Sequence, residues 1–313
     1  MTAPFDLQGH RGARGLRAEN TLPSFEAALD AGVTTIETDL HLTRDDVVVL
    51  CHDPRLAERI YRLAAEGDRP PVSPQPLVRQ LSLQELRRYR ADRNPDPVRF
   101  PDQQAVAGPV SHRVAQARRL DPFGIPTLDE LFDLVVAYAG EAGVLAGKTD
   151  TQRQRASRVR FDLELKRVPF YPETLDDGFD GHRPGVLEER VVAAVRAAGV
   201  IGRTTVRSFD HRCVQLLRQM EPGLTGAVLV ADTAPVDPAE LARQAGAIIY
   251  CPSCTFLDAD LVRRAHVGGV RVVPWTVNDP SRWQRLLDWG VDGVTTDYPD
   301  RLAEFLGNRG IAF

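Results

Sequence analysis

The chain has 313 residues, 43% hydrophobic and 26% charged, a balance that excludes a disordered, collagen-like or coiled-coil protein and supplies enough length for a large core. A net charge of −4 and a pI near 6.0 exert no global pull on nucleic acid or an anionic membrane, so no nucleic-acid partner is expected. No apolar run approaches the ~18 residues of a membrane span, the opening residues lack the basic and apolar regions of a signal peptide, and four cysteines make no disulfide scaffold, so a cytoplasmic protein is expected.

In chain order, short β-branched runs alternate with amphipathic stretches, the pattern of repeated βα units around a parallel sheet. A strand over 5–9 leads to a helix at 20–31, where Asn20-Thr21 and Pro23 read as a cap with proline in the first turn and Gly32 as the stop. A strand over 35–40 is followed by an extra strand at 47–50 that makes a hairpin with it. Residues 55–125 then lose the barrel period. They carry 13 Arg against 8 Asp and Glu, and 11 of the chain's 23 prolines lie between Pro54 and Pro126 inclusive.

The period returns with a helix at 127–139, whose Leu128, Leu131, Phe132 and Val135 share one face. Strands over 159–165, 204–208, 225–230, 247–250, 270–275 and 292–296 alternate with helices at 187–199, 210–220, 238–245, 258–267, 280–288 and 299–307, the last two opened by Asp279-Pro280-Ser281 and Tyr298-Pro299. Residues 168–184 read as a loop over the barrel mouth. Eight strands and eight helices predict a (β/α)8 TIM barrel, and removing the 71 residues of 55–125 leaves 242, close to the ~250 of such a barrel. One domain over 1–313 with a basic, proline-rich insertion after the second barrel strand is therefore expected.

In such barrels the chemistry sits where strands end and βα loops begin. The first strand ends in Gly9-His10-Arg11-Gly12, followed by Glu19-Asn20-Thr21. Period-2 alternation places Glu37 and Asp39 on one face of the second strand, and Asp162, Glu164 and Lys166 on one face of the third. The hairpin strand ends in His52-Asp53. A one-faced run of charges in a barrel interior is expensive unless a ligand or ion compensates it. Carboxylates from neighbouring strands with no cysteine nearby suit a divalent metal ion, Mg²⁺ or Ca²⁺, rather than zinc. A divalent cation, a guanidinium and an ammonium facing two imidazoles suggest an anionic substrate and proton-transfer chemistry, with phosphate ester cleavage the obvious candidate. Cys251-Pro-Ser-Cys254 has no second pair to complete a zinc site and reads as two small apolar residues at a strand end.

At these residues the chain resembles the glycerophosphodiester phosphodiesterase family, through His10-Arg-Gly with Glu19-Asn-Thr, Glu37-x-Asp39, His52-Asp53, Glu164-x-Lys166, Ser208-Phe209, Trp275-Thr-Val-Asn278 and Asp292-Gly-Val-Thr-Thr-Asp297-Tyr-Pro. The series runs in order over nearly the whole barrel. The resemblance implies an α/β barrel with an insertion after the second strand. It implies Glu37, Asp39 and Glu164 as metal ligands, and His10 and His52 as the general acid and base pair. It also implies Arg11 and Lys166 as phosphate ligands and Trp275 as the aromatic residue near a glycerol, while Asn278 and Asp297 are read as holding loops. The expected reaction is metal-dependent hydrolysis of a small-molecule glycerophosphodiester to glycerol 3-phosphate and an alcohol. Water attack and a cyclic phosphate both remain open, as does the assignment of acid and base. Cleavage of a lysophospholipid at the same site is the alternative, with Phe170, Tyr171 and Phe179 as candidates for an acyl groove. A catalytically silent barrel that binds an anion or a partner is a third reading.

His41, His112, His182, His211 and His266 are read as surface or structural, with His182, in the mouth loop beside Tyr171, also weighed as a substrate contact. Asp162 is weighed as a further ion ligand and read as the structural partner of an arginine or of Lys166. Asp53 is read as a turn or orienting residue for His52. The arginine-rich insertion admits three roles: an irregular cap, a cover in which Arg88 to Arg93 and the proline-rich segment narrow the site against bulky head groups, or a peripheral contact with an anionic membrane or partner. Only Lys148 and Lys166 stand among 37 arginines, and Lys148, in a polar loop, reads as chance retention.

Overall fold

The computed structural model describes residues 4–65 and 75–313, so part of the proline-rich stretch, 66–74, lies outside the described residues. The elements, in order, are β1 (Asp6–Gly9), α1 (Leu22–Asp30), β2 (Thr35–Leu42), β3 (Val48–Leu50), β4 (Tyr61–Leu63), α2 (Leu83–Leu86), β5 (Tyr89–Ala91), α3 (Pro109–Arg118), α4 (Leu128–Ala139), α5 (Glu141–Leu145) and α6 (Asp150–Ala156). They continue with β6 (Arg160–Leu165), α7 (Val186–Ala197), β7 (Thr204–Ser208), α8 (His211–Met220), β8 (Thr225–Val230), α9 (Pro238–Gln244), β9 (Ile249–Pro252), α10 (Ala259–Val267), β10 (Arg271–Val272), α11 (Pro280–Trp289), β11 (Gly293–Thr296) and α12 (Pro299–Gly307).

Eight parallel strands run in the order β10-β9-β8-β7-β6-β2-β1-β11, with β3 antiparallel on β2. The ends of this sheet meet. Asp292 N donates to Val272 O at 2.9 Å and Thr295 N to Pro274 O at 3.0 Å, which joins β10 to β11 and closes the barrel. Pro274 has no N–H to give, which explains why β10 is shorter than the strand expected over 270–275. The outward residues Leu7, Ile36, Leu163, Val206, Val228, Val272 and Val294 are buried in one core cluster with residues of the surrounding helices. Inside the barrel, Ala227, Leu229, Ile249, Cys251 and Val273 form an apolar cluster from β8 to just beyond β10, leaving polar chemistry to β1, β2, β6 and β7. Cys251 belongs to this cluster, and all four cysteines are free thiols.

Local signals behave as read. Thr21 caps α1 by accepting from Ser24 N, and Gly32 adopts φ +77°. Leu128, Leu131, Phe132 and Val135 of α4 are buried. Between β3 and α4, a second core of Val49, Cys51, Leu56, Ile60, Tyr61, Val78, Leu86, Ala91 and Ile125 supports the antiparallel β4–β5 pair. Helix α3 joins the helical layer instead, packing on α1 and α4. Its N-terminal N–H groups at Val110 and Ser111 donate to the buried Glu26 carboxylate at 3.1 and 2.7 Å, an anion placed where the helix dipole favours one.

Lys148 corrects the reading of chance retention. Its Nζ bridges Glu26 Oε1 at 2.9 Å and Asp30 Oδ1 at 2.6 Å with only 9% of the side chain exposed, so its charge is used between α5 and α6, two helices the pattern did not suggest. No helix among the described residues is long and apolar enough to cross a membrane.

Candidate active site

The site is built at the ends of β1, β2, β6 and β7 and on the loops that follow. After β1 the chain turns through Arg11 at φ +51° and Gly12 at φ +84°, and a Cβ on Gly12 would come within 2.6 Å of the Ser24 carbonyl carbon. Glycine is required there, and Ser24 Oγ secures the turn by donating to Arg11 O at 2.8 Å. The turn aims Arg11 inward. Its backbone N–H donates to Glu37 Oε2 at 2.8 Å, while its guanidinium pairs with Glu19 Oε1 at 2.7 Å and Asp39 Oδ2 at 3.2 Å. Arg14 takes the other Glu19 oxygen at 2.7 Å. Asn20, at φ +53°, donates to Asp39 Oδ2 at 2.9 Å and accepts from Thr38 at 2.8 Å, so the residue read as part of a helix cap also orients a carboxylate.

The β2–β6 register sets Glu37 opposite Asp162 and Asp39 opposite Glu164. Glu37, Asp39 and Glu164 are all buried, and each offers a carboxylate oxygen within 4.8 Å of the others. Asp39 Oδ1 accepts no hydrogen bond and faces Lys166 Nζ at 3.6 Å. Burial first, then the negative charges of Asp39 and Glu164, push the Glu37 carboxyl up to about 8 against the pull of Arg207. An orphaned buried oxygen, an all-oxygen donor set and a carboxyl that resists ionising are what a hard divalent ion corrects, so these residues fit a metal of that class.

The cations are arranged around this trio. Lys166 Nζ lies 2.6 Å from Glu164 Oε1. Arg207 on β7, opposite Glu164 in the register, is fully buried and bridges Glu37 Oε1 at 2.7 Å and Asp162 Oδ2 at 3.2 Å. Asp162 therefore has the arginine partner expected of it and stands outside the trio. Arg207 itself was missed. The signal was available in Thr204-Thr-Val-Arg-Ser, where alternation puts Thr205 and Arg207 on the face opposite Val206.

Both histidines have the same arrangement. His10 Nδ1 is bound to Asp297 Oδ1 at 2.6 Å, and His52 Nδ1 to Asp53 Oδ1 at 2.7 Å. A carboxylate on Nδ1 fixes the tautomer and leaves Nε2 for proton transfer. His10 is buried, and burial followed by the Arg11 charge lowers it to about 4 despite Asp297, so its ring is neutral at pH 7. Asp297 is thus more than the loop holder expected: one oxygen orients His10 while the other accepts from Asn278 Nδ2 at 2.7 Å. Burial opposes its charge, but His10, Arg14 and Asn278 hold its carboxyl well below the usual range. Asp53 has the orienting role expected. His41, read as surface or structural, is buried and donates from Nε2 to His52 O at 3.1 Å, supporting the loop from below.

At the mouth, Trp275 donates to Cys251 O at 2.8 Å and meets Phe209 edge-on at 5.7 Å between ring centroids. Phe209 also lies 6.0 Å from Lys166 Nζ. Among the acyl-groove candidates, Phe179 is taken up by the Arg167 and Arg212 guanidiniums at 4.0 and 5.8 Å, whereas Phe170 and Tyr171 form an exposed edge-on pair. His182 is exposed in the same loop, His211 Nε2 binds Leu229 O, His266 binds Asp292, and His112 is exposed on α3. Several arginines of the 55–125 stretch are tied within it: Arg90 pairs with Asp92 and Asp121, and Arg93 donates to Glu58 O.

Residues 10–301 match the family model of the glycerophosphoryl diester phosphodiesterase family. A glycerophosphodiester phosphodiesterase of Bacillus altitudinis is 27% identical over 294 residues, covering 93% of this chain and 94% of that protein. Among solved structures, a putative glycerophosphoryl diester phosphodiesterase from Silicibacter pomeroyi DSS-3 superposes with a TM-score of 0.78 at 28% identity, covering 97% of this chain and 94% of that one. An Oleispira antarctica phosphodiesterase, solved with the product sn-glycerol-3-phosphate, shares the fold at a TM-score of 0.65 and 19% identity, with 96% of each chain covered.

Proposed function

Because the chain belongs to the glycerophosphoryl diester phosphodiesterase family and is a phosphoric diester hydrolase of that kind, we propose that it cleaves glycerophosphodiesters of the deacylated-phospholipid type to glycerol 3-phosphate and an alcohol, at the barrel mouth and with a divalent ion. The observation that carries this reading is the convergence of Glu37, Asp39 and Glu164 with two histidines whose Nδ1 atoms are each bound to an aspartate. The product held by the Oleispira antarctica phosphodiesterase is the one this reading assigns.

Glu37, Asp39 and Glu164 hold the ion, Mg²⁺ or Ca²⁺, which supplies Lewis-acid charge for a phosphoryl oxygen. Lys166 and Arg11 neutralise charge on the phosphate, and Trp275 lines the glycerol side. One histidine accepts a proton from the attacking hydroxyl at Nε2, and the other delivers one to the leaving alkoxide, a poor leaving group without it. Asp53 and Asp297 keep each Nε2 aimed at its proton. A set of glycerophosphodiesters and lysophospholipids assayed with Mg²⁺, with Ca²⁺ or with chelator tests this directly. Turnover of the glycerophosphodiesters that collapses on chelation and returns with added ion is expected, and chelation without effect overturns the ion site.

A further inference from the structure

Two arginines of the 55–125 segment end matching chains on the two histidines. Arg59 Nη2 donates to Asp53 Oδ2 at 3.0 Å, and Asp53 holds His52 through its other oxygen. Arg99 Nη2 lies 3.5 Å from Asp297 Oδ2, and Asp297 holds His10 through its other oxygen. Arg59 reaches its aspartate by a hydrogen bond and Arg99 by an ion pair without one, and in both cases the cation comes from outside the barrel elements.

Both arginines extend from anchored backbone. Arg59 sits beside Ile60, which is buried with Leu56 and Tyr61 in the second core, and Arg93 Nη1 clips the turn by donating to Glu58 O at 2.9 Å. Arg99 N donates to Asp96 Oδ1 at 3.0 Å, Tyr298 OH donates to Arg99 O at 3.0 Å, and the neighbouring Phe100 is buried. Their side chains remain half-exposed, and the Arg59–Asp53 pair, partly exposed on both sides, contributes only ~0–1 kcal/mol to stability. Direction, rather than stability, is what such pairs supply. A carboxylate with one oxygen on an imidazole N–H keeps its rotation only if the second oxygen is also held.

We propose that Arg59 and Arg99 are positioning residues that the inserted segment supplies to the two histidines, which makes the insertion part of the acid–base apparatus rather than only a cover. The proposal rests on the reaction assigned above to His10 and His52. Arg59 is the stronger of the two, because Asn278 also holds Asp297 Oδ2 whereas Asp53 Oδ2 accepts a side-chain hydrogen bond from Arg59 alone among the described residues.

The test is steady-state kinetics of the metal-loaded full chain, run beside ring ¹⁵N spectra of the histidines. Arg59→Gln is expected to lower kcat about tenfold and Arg99→Gln about threefold with KM within about twofold of the parent, as for groups displaced from a productive geometry rather than lost from binding. Arg59→Lys and Arg99→Lys restore most of the loss. In an Asp53→Asn background Arg59→Gln has no further effect, and in Asp297→Asn the same holds for Arg99→Gln. In the spectra, Arg59→Gln perturbs the Nδ1–H signal of His52 alone and Arg99→Gln that of His10 alone. Unchanged kcat, losses that multiply undiminished in the asparagine backgrounds, or ring signals that do not move overturn the proposal. A parent protein that turns over no glycerophosphodiester with either ion defeats the assigned reaction instead, and the ring spectra then decide the positioning chains by themselves.

Discussion

Replacing either His10 or His52 by alanine is expected to lower turnover by about 10²–10⁴-fold, the range that a positioned acid or base supplies, while the barrel stays folded. His52 is 32% exposed, and its partner Asp53 keeps Arg59, so its loss leaves no buried orphan. His10 is more deeply placed, and its removal frees one oxygen of the buried Asp297, which Asn278 still holds from the other side. An unsatisfied buried acceptor costs about 1–3 kcal/mol, so His10→Ala should melt slightly lower than His52→Ala and still fold. Initial rates beside a thermal melt check both points, and full activity in either variant defeats the two-histidine scheme.

Arg207→Leu is expected to cost about 3–5 kcal/mol of stability, the range for removing one partner of a buried ion pair, because it leaves Glu37 and Asp162 without their shared guanidinium. The loss depends on pH. Burial, opposed by Arg207, already raises the Asp162 carboxyl to about 6 from an ordinary value of 3.8. An acid raised in this way holds its proton in the native state while the unfolded chain releases it, so native stability falls as pH rises from about 4 to 6. Without Arg207 the upper end of that window moves higher, and the variant should lose more stability at pH 8 than at pH 5 relative to the parent. Urea unfolding at the two pH values measures this, with Arg207→Lys as the variant that keeps a charge in place. A midpoint for Arg207→Leu equal to that of the parent at both values contradicts the bridging role.

The parts of the site that follow period-2 alternation were legible before any coordinates. Glu37 and Asp39 lie on one face of β2, Glu164 lies on β6 with Lys166 just past its end, and the register brings the carboxylates together. His10 and His52 were legible as strand-end residues in matched motifs. What escaped were relationships between distant segments. Asp297 reaches His10 from the far end of the chain, and Arg99 reaches Asp297 from the 55–125 stretch, pairings that no local spacing encodes. Lys148 was misread for the same reason, since its partners lie on α1. Arg207 and Arg167 each bridge two carboxylates with a planar guanidinium, and the two lysines each set a compact ammonium between two, Lys148 at Glu26 and Asp30 and Lys166 at Glu164 and Asp39.

The central claim, that this barrel mouth breaks the bond between phosphorus and the alcohol oxygen of a glycerophosphodiester, is tested most directly by ³¹P NMR of glycerophosphocholine incubated with the full chain and Mg²⁺ or Ca²⁺. The diester resonance is expected to be replaced by that of glycerol 3-phosphate. Phosphocholine as the product, or a diester resonance that persists with both ions, would contradict it.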